Sequence, residues 1–324
     1  MSILVVGSVA LDAIETPFGS VREALGGAAT YFSVVASLYD RVNLVGVVGA
    51  DFPPEHIKFL RSRNVDLRGL QMVAGRTFRW AGRYDYDLNT AHTLVTELNV
   101  FADFHPQLPA GYGDSEYVFL ANIDPDLQLD VLNQVSGRPR LIALDTMNFW
   151  IASKRDTLTE AIRRVDVVLM NEAEVRQYTG TFNLIQAARQ ILALGPRALI
   201  VKKGEYGAVL FCRDCDPTEG YFFAPAYPLE CLADPTGAGD TFAGGLVGYL
   251  AHAGEVTDAT IRQGIVHGSV AASFTVEDFS VNRLRSLTMA DIRRRYEAFK
   301  HFTTFEAACP WLDSCERLRG AGNS

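Results

Sequence analysis

Cysteine, long apolar runs and surplus positive charge are all scarce in this sequence, and each shortage closes off a class of protein. Five cysteines in 324 residues do not make a disulfide framework, and the C-x-x-C pair Cys212/Cys215 has no second pair at zinc spacing. Its surroundings, VLFCRDCDPTEGYFF, read as two strands joined by a turn. No stretch of about 20 uninterrupted apolar residues occurs, so a membrane span is not expected. The apolar start MSILVVGSVALD is too short for a secretory signal and lacks a basic leader, which leaves the cytoplasm as the expected compartment. Lys and Arg number 30 against 38 Asp and Glu, a net charge of −8. That balance argues against a nucleic-acid or anionic-membrane surface. An anionic ligand would therefore need a local cationic or amide-lined pocket. Two nucleotide-binding strings are also missing. There is no G-x-x-x-x-G-K-[ST], and the first strand leads into GSVALD rather than the G-x-G-x-x-G of a dinucleotide fold.

What is present is a regular α/β rhythm. The length suits one large α/β domain, alone or with a small appendage. Ile3 to Val6 reads as a buried strand, LGGAATYFSVVASLY as a helix opened by Gly26 and Gly27, and Val42 to Val48 as a second strand. A GADF turn and a helix from Pro53 to about Arg63 follow. Short apolar strands at 117–121, 141–145, 166–170 and 198–202 alternate with helical segments, which predicts a mostly parallel sheet covered on both faces. Residues 240–252, 257–275 and 288–302 read as helices. Residues 77–88 break the rhythm: Phe78, Trp80, Tyr84, Tyr86 and Leu88 alternate with Arg79, Arg83, Asp85 and Asp87. A period of two marks a strand with one apolar face. Asn89-Thr90 is a plausible turn into a further strand from His92 to Val100. The expectation is a small sheet standing apart from the main domain, and dimerisation through it as one way to cover its surplus aromatics. The domain is taken as 1–303, with 304–324 as a loosely held tail.

The strongest chemical signal is ADPTGAGDTFAGGLVGYL, residues 233–250. Gly237-Ala238-Gly239 can gather backbone N–H groups into one concavity, and the helix starting near Asp240 adds its unpaired N–H groups and positive dipole end. Such a site fits the terminal phosphates of a nucleotide. Asp240, a carboxylate beside that anion, makes sense if it accepts the proton of an attacking hydroxyl; a plain N-cap behind a glycine turn is the competing explanation. Asn171 and Glu174, three apart, share a helix face and suit an indirectly held Mg²⁺, yet they also fit a capping box.

The string D-P-T-G-A-G-D-T-F-A-G-G, residues 234–245, resembles the C-terminal signature of the ribokinase/PfkB family of carbohydrate kinases. Other landmarks of that family appear in order along nearly the whole chain: GSVALD ending at Asp12, the di-glycine Gly26-Gly27, VGADF at 48–52, NEAE at 171–174 and KGEYGA at 203–208. The resemblance implies a three-layer ribokinase-like α/β fold with a small β lid from about residues 9–25 and 72–101. It implies Asp240 as general base, with the amides of Gly237, Ala238 and Gly239 stabilising the transferred phosphoryl group. It also implies substrate contacts from Asp12, Gly26 and Gly27. The nucleotide would lie along Lys202, Gly204, Gly207, Thr236, Gly237 and Gly239, and Mg²⁺ at Asn171 and Glu174. ATP and Mg²⁺ are the implied cofactors. Asp234 stands where some relatives bind a monovalent cation such as K⁺.

Several positions depart from the family pattern. Tyr31 replaces an asparagine that contacts substrate hydroxyls in sugar-specific members, which argues against a simple ribokinase or fructokinase. Tyr31 could stack on a ring or line the helix core. Lys202 stands where a threonine is frequent and could reach phosphate as a point charge or end its strand in solvent. Arg79 and Trp80 are candidate substrate contacts, although strand alternation points one of them away. Asp145, ending a parallel strand, is a further substrate candidate. The leading expectation is an ATP-dependent phosphotransferase acting on a hydroxyl of a sugar, sugar acid or polyol. The alternatives are a nucleoside kinase of the same family and a catalytically silent sugar or nucleotide sensor.

Overall fold

The computed structural model describes residues 1–213 and 221–304. Its centre is a nine-stranded sheet whose strands are β1 (Ser2–Val6), β4 (Arg41–Gly49), β5 (Val65–Val73), β8 (Tyr117–Leu120), β9 (Leu141–Asp145), β10 (Val167–Asn171), β11 (Ala198–Lys202), β12 (Ala208–Cys212) and β13 (Tyr221–Ala224). The spatial order is β13-β12-β11-β10-β9-β8-β1-β4-β5. Every pairing from β5 across to β11 is parallel, and β12 and β13 join antiparallel. The short apolar runs are short and uninterrupted because both faces are covered. In β1, Ile3 and Val5 enter one core while Leu4 and Val6 enter the other.

Helices fill the two outer layers. One layer holds α1 (Ala28–Ala36), α2 (Pro54–Arg61), α8 (Ala238–Ala253), α9 (Asp258–Thr275), α10 (Asn282–Arg285) and α11 (Met289–Thr303). The other holds α3 (Pro125–Gln134), α4 (Asn148–Ser153), α5 (Arg155–Arg163), α6 (Glu172–Thr179) and α7 (Leu184–Leu192). This is the expected three-layer architecture. Helix α8 packs closely on α1, every residue of which is buried. A Cβ on its Gly244 would lie 2.6 Å from the Phe32 carbonyl oxygen, so α1 and α8 touch backbone to backbone.

A second sheet of four strands, β2 (Ala10–Thr16), β3 (Gly19–Gly26), β6 (Arg79–Tyr84) and β7 (Ala91–Glu97), has the order β3-β2-β6-β7. It is mixed: β2 pairs antiparallel with β3 and parallel with β6, and β6 pairs antiparallel with β7. This small sheet stands where a lid was expected, with strands at 10–26 and 79–97. Met72 and Val73, placed in it from the sequence, instead pair with Val48 and Gly49 in the main sheet. The hairpin expected around the cysteine pair exists as β12–β13, while Cys215 and nearly all of the expected tail lie outside the described residues. Among the described residues no helix is long and apolar enough to cross a membrane.

Candidate active site

The surroundings of Asp12 begin where β1 stops. Ser8 Oγ accepts the Ala28 N–H at 3.0 Å and the Ser8 carbonyl accepts the Ala29 N–H at 3.0 Å, which ties the first turn of α1 to the end of β1. The chain between them runs out through β2 and back through β3. Asp12, on β2, is 4% exposed. A Cβ on Gly26 would fall 1.8 Å from its Oδ2, so only glycine lets the carboxyl occupy that place. Burial, and next the nearby Asp234, push the Asp12 carboxyl up to about 8, against an N–H from Gly27 that favours the anion.

The anion turn is held from below. Asp234 accepts the Thr236 N–H at 2.8 Å with one oxygen and the Ser280 N–H at 3.1 Å with the other. Gly237 has a φ of 76°, in the left-handed region that glycine adopts freely. A side chain there would also strike the Tyr31 ring at 2.4 Å. Tyr31 therefore lines the core beneath the turn and is 1% exposed. Its hydroxyl has no partner among the described residues, and burial followed by Asp12 holds its proton on. The Ala238 N–H donates to the Pro235 carbonyl at 3.1 Å, whereas those of Gly237 and Gly239 have no acceptor among the described residues. The open amides of the turn are thus those of the two glycines, and Ala238 does not add the third the sequence led us to expect.

Asp240 follows in the first turn of α8. Burial and then Asp145 raise its carboxyl to about 7, with Lys202 and its own N–H pulling the other way. A carboxylate poised near neutrality is what a general base at working pH requires. Thr241 anchors the same turn: its N–H donates to the Gly237 carbonyl at 2.8 Å, and its hydroxyl accepts from Thr275 at 2.9 Å.

Three strand ends supply the remaining charges. Lys202 Nζ lies 2.5 Å from Asp145 Oδ2. The lysine is held protonated: burial works against the charge, but Asp145 and Glu174 outweigh it. Asn171 and Glu174 form the complete capping box of α6. The Asn171 N–H and Nδ2 donate to the two Glu174 oxygens, each at 2.7 Å, and the Glu174 N–H returns to Asn171 Oδ1 at 2.8 Å. Burial first, with Asp145 and Asp240 adding and Lys202 opposing, raises Glu174 to about 7. No cluster of three metal-ligating acids, histidines or cysteines occurs among the described residues.

The small sheet touches this site through Tyr84 and its hairpin tip. Asp12 is in register with Trp80 across β2 and β6, so Trp80, Gly82 and Tyr84 share its face. Tyr84 reaches furthest, its hydroxyl accepting from Thr236 Oγ1 at 3.2 Å. Arg79 takes the opposite face and bridges Glu23 at 2.5 Å and Asp51 at 3.1 Å. At the hairpin tip, Asn89 Nδ2 donates to Glu205 at 3.3 Å, and a Cβ on Gly204 would meet Asn89 Oδ1 at 2.9 Å. The 204–207 loop is closed by the Lys203 N–H donating to the Gly207 carbonyl at 2.8 Å. Tyr84 and Asn89 were not singled out from the sequence. Tyr84 carried a usable signal, lying four residues from Trp80 in the alternating stretch; Asn89 carried only its place in a turn.

Asp240 is where the two groups meet. Asp12, Asp234, Tyr31 and Tyr84 are coupled by charge on one side of it, and Asp145, Lys202 and Glu174 flank it on the other. A near-neutral carboxyl, open amides at a helix mouth and an adjoining buried cation are the parts of a phosphoryl-transfer site.

Comparison with known proteins agrees. The profile of the pfkB family carbohydrate kinases matches residues 2–285. A cytidine kinase of Thermococcus kodakarensis is 31% identical over 256 residues, covering 77% of this chain and 88% of its own. A nucleoside kinase of Methanothermobacter thermautotrophicus is 26% identical over 327 residues, covering 93% and 95%. The crystal structure of a Methanocaldococcus jannaschii nucleoside kinase superposes with a TM-score of 0.72 at 22% identity, covering 92% and 98%. The chain belongs to the pfkB family of carbohydrate kinases. It is a phosphotransferase that uses ATP and has a hydroxyl group as acceptor.

Proposed function

We propose that the protein phosphorylates a nucleoside, transferring the γ-phosphoryl group of ATP to a hydroxyl of its sugar. The observation that carries this is the pairing of Asp12 with Trp80 on one strand face of the small sheet, the face from which Tyr84 reaches Thr236 and Asp12 feels the charge of Asp240. Asp12 would take sugar hydroxyls, and Trp80 offers an aromatic surface for a base. Relatives named as cytidine and nucleoside kinases support the same reading. Asp12, Asp234 and Asp240 lie close enough to raise one another's carboxyls, so a neutral acceptor fits there better than a sugar acid, whose carboxylate would add a further negative charge. A neutral sugar or polyol is the second reading, because Asp12 alone would serve it.

In the reaction, Asp240 takes the acceptor's proton as its oxygen attacks the γ-phosphorus, and ADP departs. The free amides of Gly237 and Gly239 face the charge that develops. Asn171 and Glu174 are the residues that would order Mg²⁺. Since their oxygens are already engaged with each other's N–H groups, they suit an ion that keeps its waters and phosphate oxygens. The bound ion would supply charge neutralisation on the phosphates. Asp234, both of whose oxygens hold loop amides, serves first to shape the turn; a monovalent cation beside it is a secondary role. The cytoplasm is the compartment we assign.

ADP release over cytidine, the other ribonucleosides, free ribose, polyols and sugar acids tests the proposal. A nucleoside should give the highest kcat/KM, by at least about tenfold. A polyol or free sugar in first place overturns the nucleoside reading. Thermal stabilisation by a ligand with no turnover of any compound makes the protein a sensor.

A further inference from the structure

Strands β9, β10 and β11 end side by side, and Asp145, Asn171 and Lys202 are their last residues. Parallel pairing aligns Leu169 with Asp145 and Asn171 with Lys202, so the three ends form one short shelf beneath the first turn of α8. Asp145 is 3% exposed. One of its oxygens accepts the Thr146 N–H at 2.8 Å and the other holds the Lys202 ammonium. Its main-chain carbonyl is taken by Gln128 Nε2 at 3.0 Å. A carboxylate so buried and so engaged is better placed to hold the lysine than to bind an acceptor hydroxyl. Lys202, in turn, lies along Gly239. An ideal Cβ at that glycine would stand 3.2 Å from Nζ, 3.8 Å from Cδ and 3.9 Å from Cε. Gly239 is also one of the two turn residues whose N–H is free.

Resting on the phosphotransfer reading above, we propose that Lys202 is a catalytic residue whose ammonium completes the anion hole, and that Asp145 is a positioning residue that holds it there. A phosphoryl group in flight spreads charge over three equatorial oxygens; at this turn the Gly237 and Gly239 amides are open, the Ala238 N–H is engaged with Pro235 and the Asp240 N–H faces its own carboxyl. The ammonium beside Gly239 is the third donor. A lysine on a flexible stem needs such a hold, and a buried aspartate with one oxygen pinned by a backbone amide provides it. The transfer remains balanced. The bond from the γ-phosphorus to the ADP oxygen breaks, the bond to the acceptor oxygen forms, the acceptor proton passes to Asp240, and Lys202 keeps its own protons. The absence of a side chain at Gly239 then gives the lysine its seat.

A double-mutant cycle on the full chain tests this, with initial rates measured over both ATP and the best acceptor from the panel. Lys202→Met should lower kcat by about 10²–10³, the loss typical of one oxyanion donor. Asp145→Asn should lower kcat by about tenfold or more while leaving the acceptor KM within about twofold. The double variant should be no slower than Lys202→Met alone, because Asp145 acts only through the lysine. Two results overturn the proposal: losses that multiply in the double variant, or an Asp145→Asn whose damage falls on the acceptor KM. If Lys202→Met does not fold, Gly239→Ala, which crowds the ammonium, carries the test. Its kcat must fall together with that of Asp145→Asn non-multiplicatively, and multiplicative losses reject the idea. Asp240→Asn is assayed alongside. If that variant stays active the base assignment fails, whereas an inactive Asp240→Asn with a multiplicative cycle rejects only the role of Lys202.

Discussion

Asp240 carries the sharpest residue-scale prediction. Its replacement by asparagine keeps size and polarity but removes the proton acceptor, so the variant should fold, bind nucleotide and lose about 10²–10⁴ in kcat, as read by steady-state ADP release. Because burial and Asp145 set the carboxyl to about 7, and only its ionised form can accept a proton, kcat/KM of the parent should climb as pH rises from 6 through about 7 and then level. A profile flat across that range would separate Asp240 from proton transfer. Gly26 offers a structural counterpart. Alanine there must displace the Asp12 carboxyl, since its Cβ would arrive 1.8 Å from Oδ2, so Gly26→Ala should raise the acceptor KM by tenfold or more with a smaller change in ATP affinity. The glycines and Asp240 were legible in the sequence because they are contiguous and each has a backbone or charge rationale at its own position. The Lys202–Asp145 pair was not legible as a pair. Its members are 57 residues apart and meet only through the register of three strands, which no local pattern encodes. Tyr31 could be read as base-stacking or as core, and the 2.4 Å approach to Gly237 decided for core.

At the scale of elements, the lid is where sequence patterning succeeded and fell short by turns. The alternation in 77–88 foretold β6 because one of its faces is apolar. Strands β2 and β3 show no such alternation: a bulge between Asp12 and Ile14 breaks the register, and the hairpin was expected only through family resemblance. The strand β7 was foreseen as a neighbour of β6, and its outer residues remain uncovered, with Leu94 57% and Val95 47% exposed. We predict that two copies cover these edges against each other. Light scattering should give a dimer, and Leu94→Lys with Val95→Glu should leave monomers; a parent that is monomeric at working concentration excludes the pairing. The lid's grip on the site is equally testable. Tyr84→Phe removes the acceptor of the Thr236 hydrogen bond and should cost roughly 0.5–1.5 kcal/mol of lid closure, visible as a several-fold rise in acceptor KM.

For the molecule as a whole, displaced titrations give stability a particular dependence on pH. Asp12 is raised from 3.8 to about 8, Asp240 from 3.8 to about 7 and Glu174 from 4.5 to about 7, burial being the main cause for each. The folded chain keeps protons there that the unfolded chain has released, so this stability is present at low pH and lost as pH rises through the folded values. His267, lowered from 6.5 to about 4 by burial and then by His252, works in the opposite sense: its contribution grows between about 4 and 6.5. The two trends oppose each other below 6.5. Above it the carboxyls act alone, and the ligand-free melting temperature should fall between pH 6.5 and 8. Asp12→Asn should flatten that slope, and a melting temperature that holds level in the parent would show that the carboxyl ionises freely inside the fold.

The backbone contact between Gly244 of α8 and Phe32 of α1 bears on how such a protein can diversify. A helix seated that closely cannot slide or tilt, so the element presenting Asp240 is fixed to the sheet while the small sheet above is attached by only a few crossing segments. Changes of clientele can therefore accumulate in the cover, one strand face at a time, without disturbing the machinery that moves phosphate.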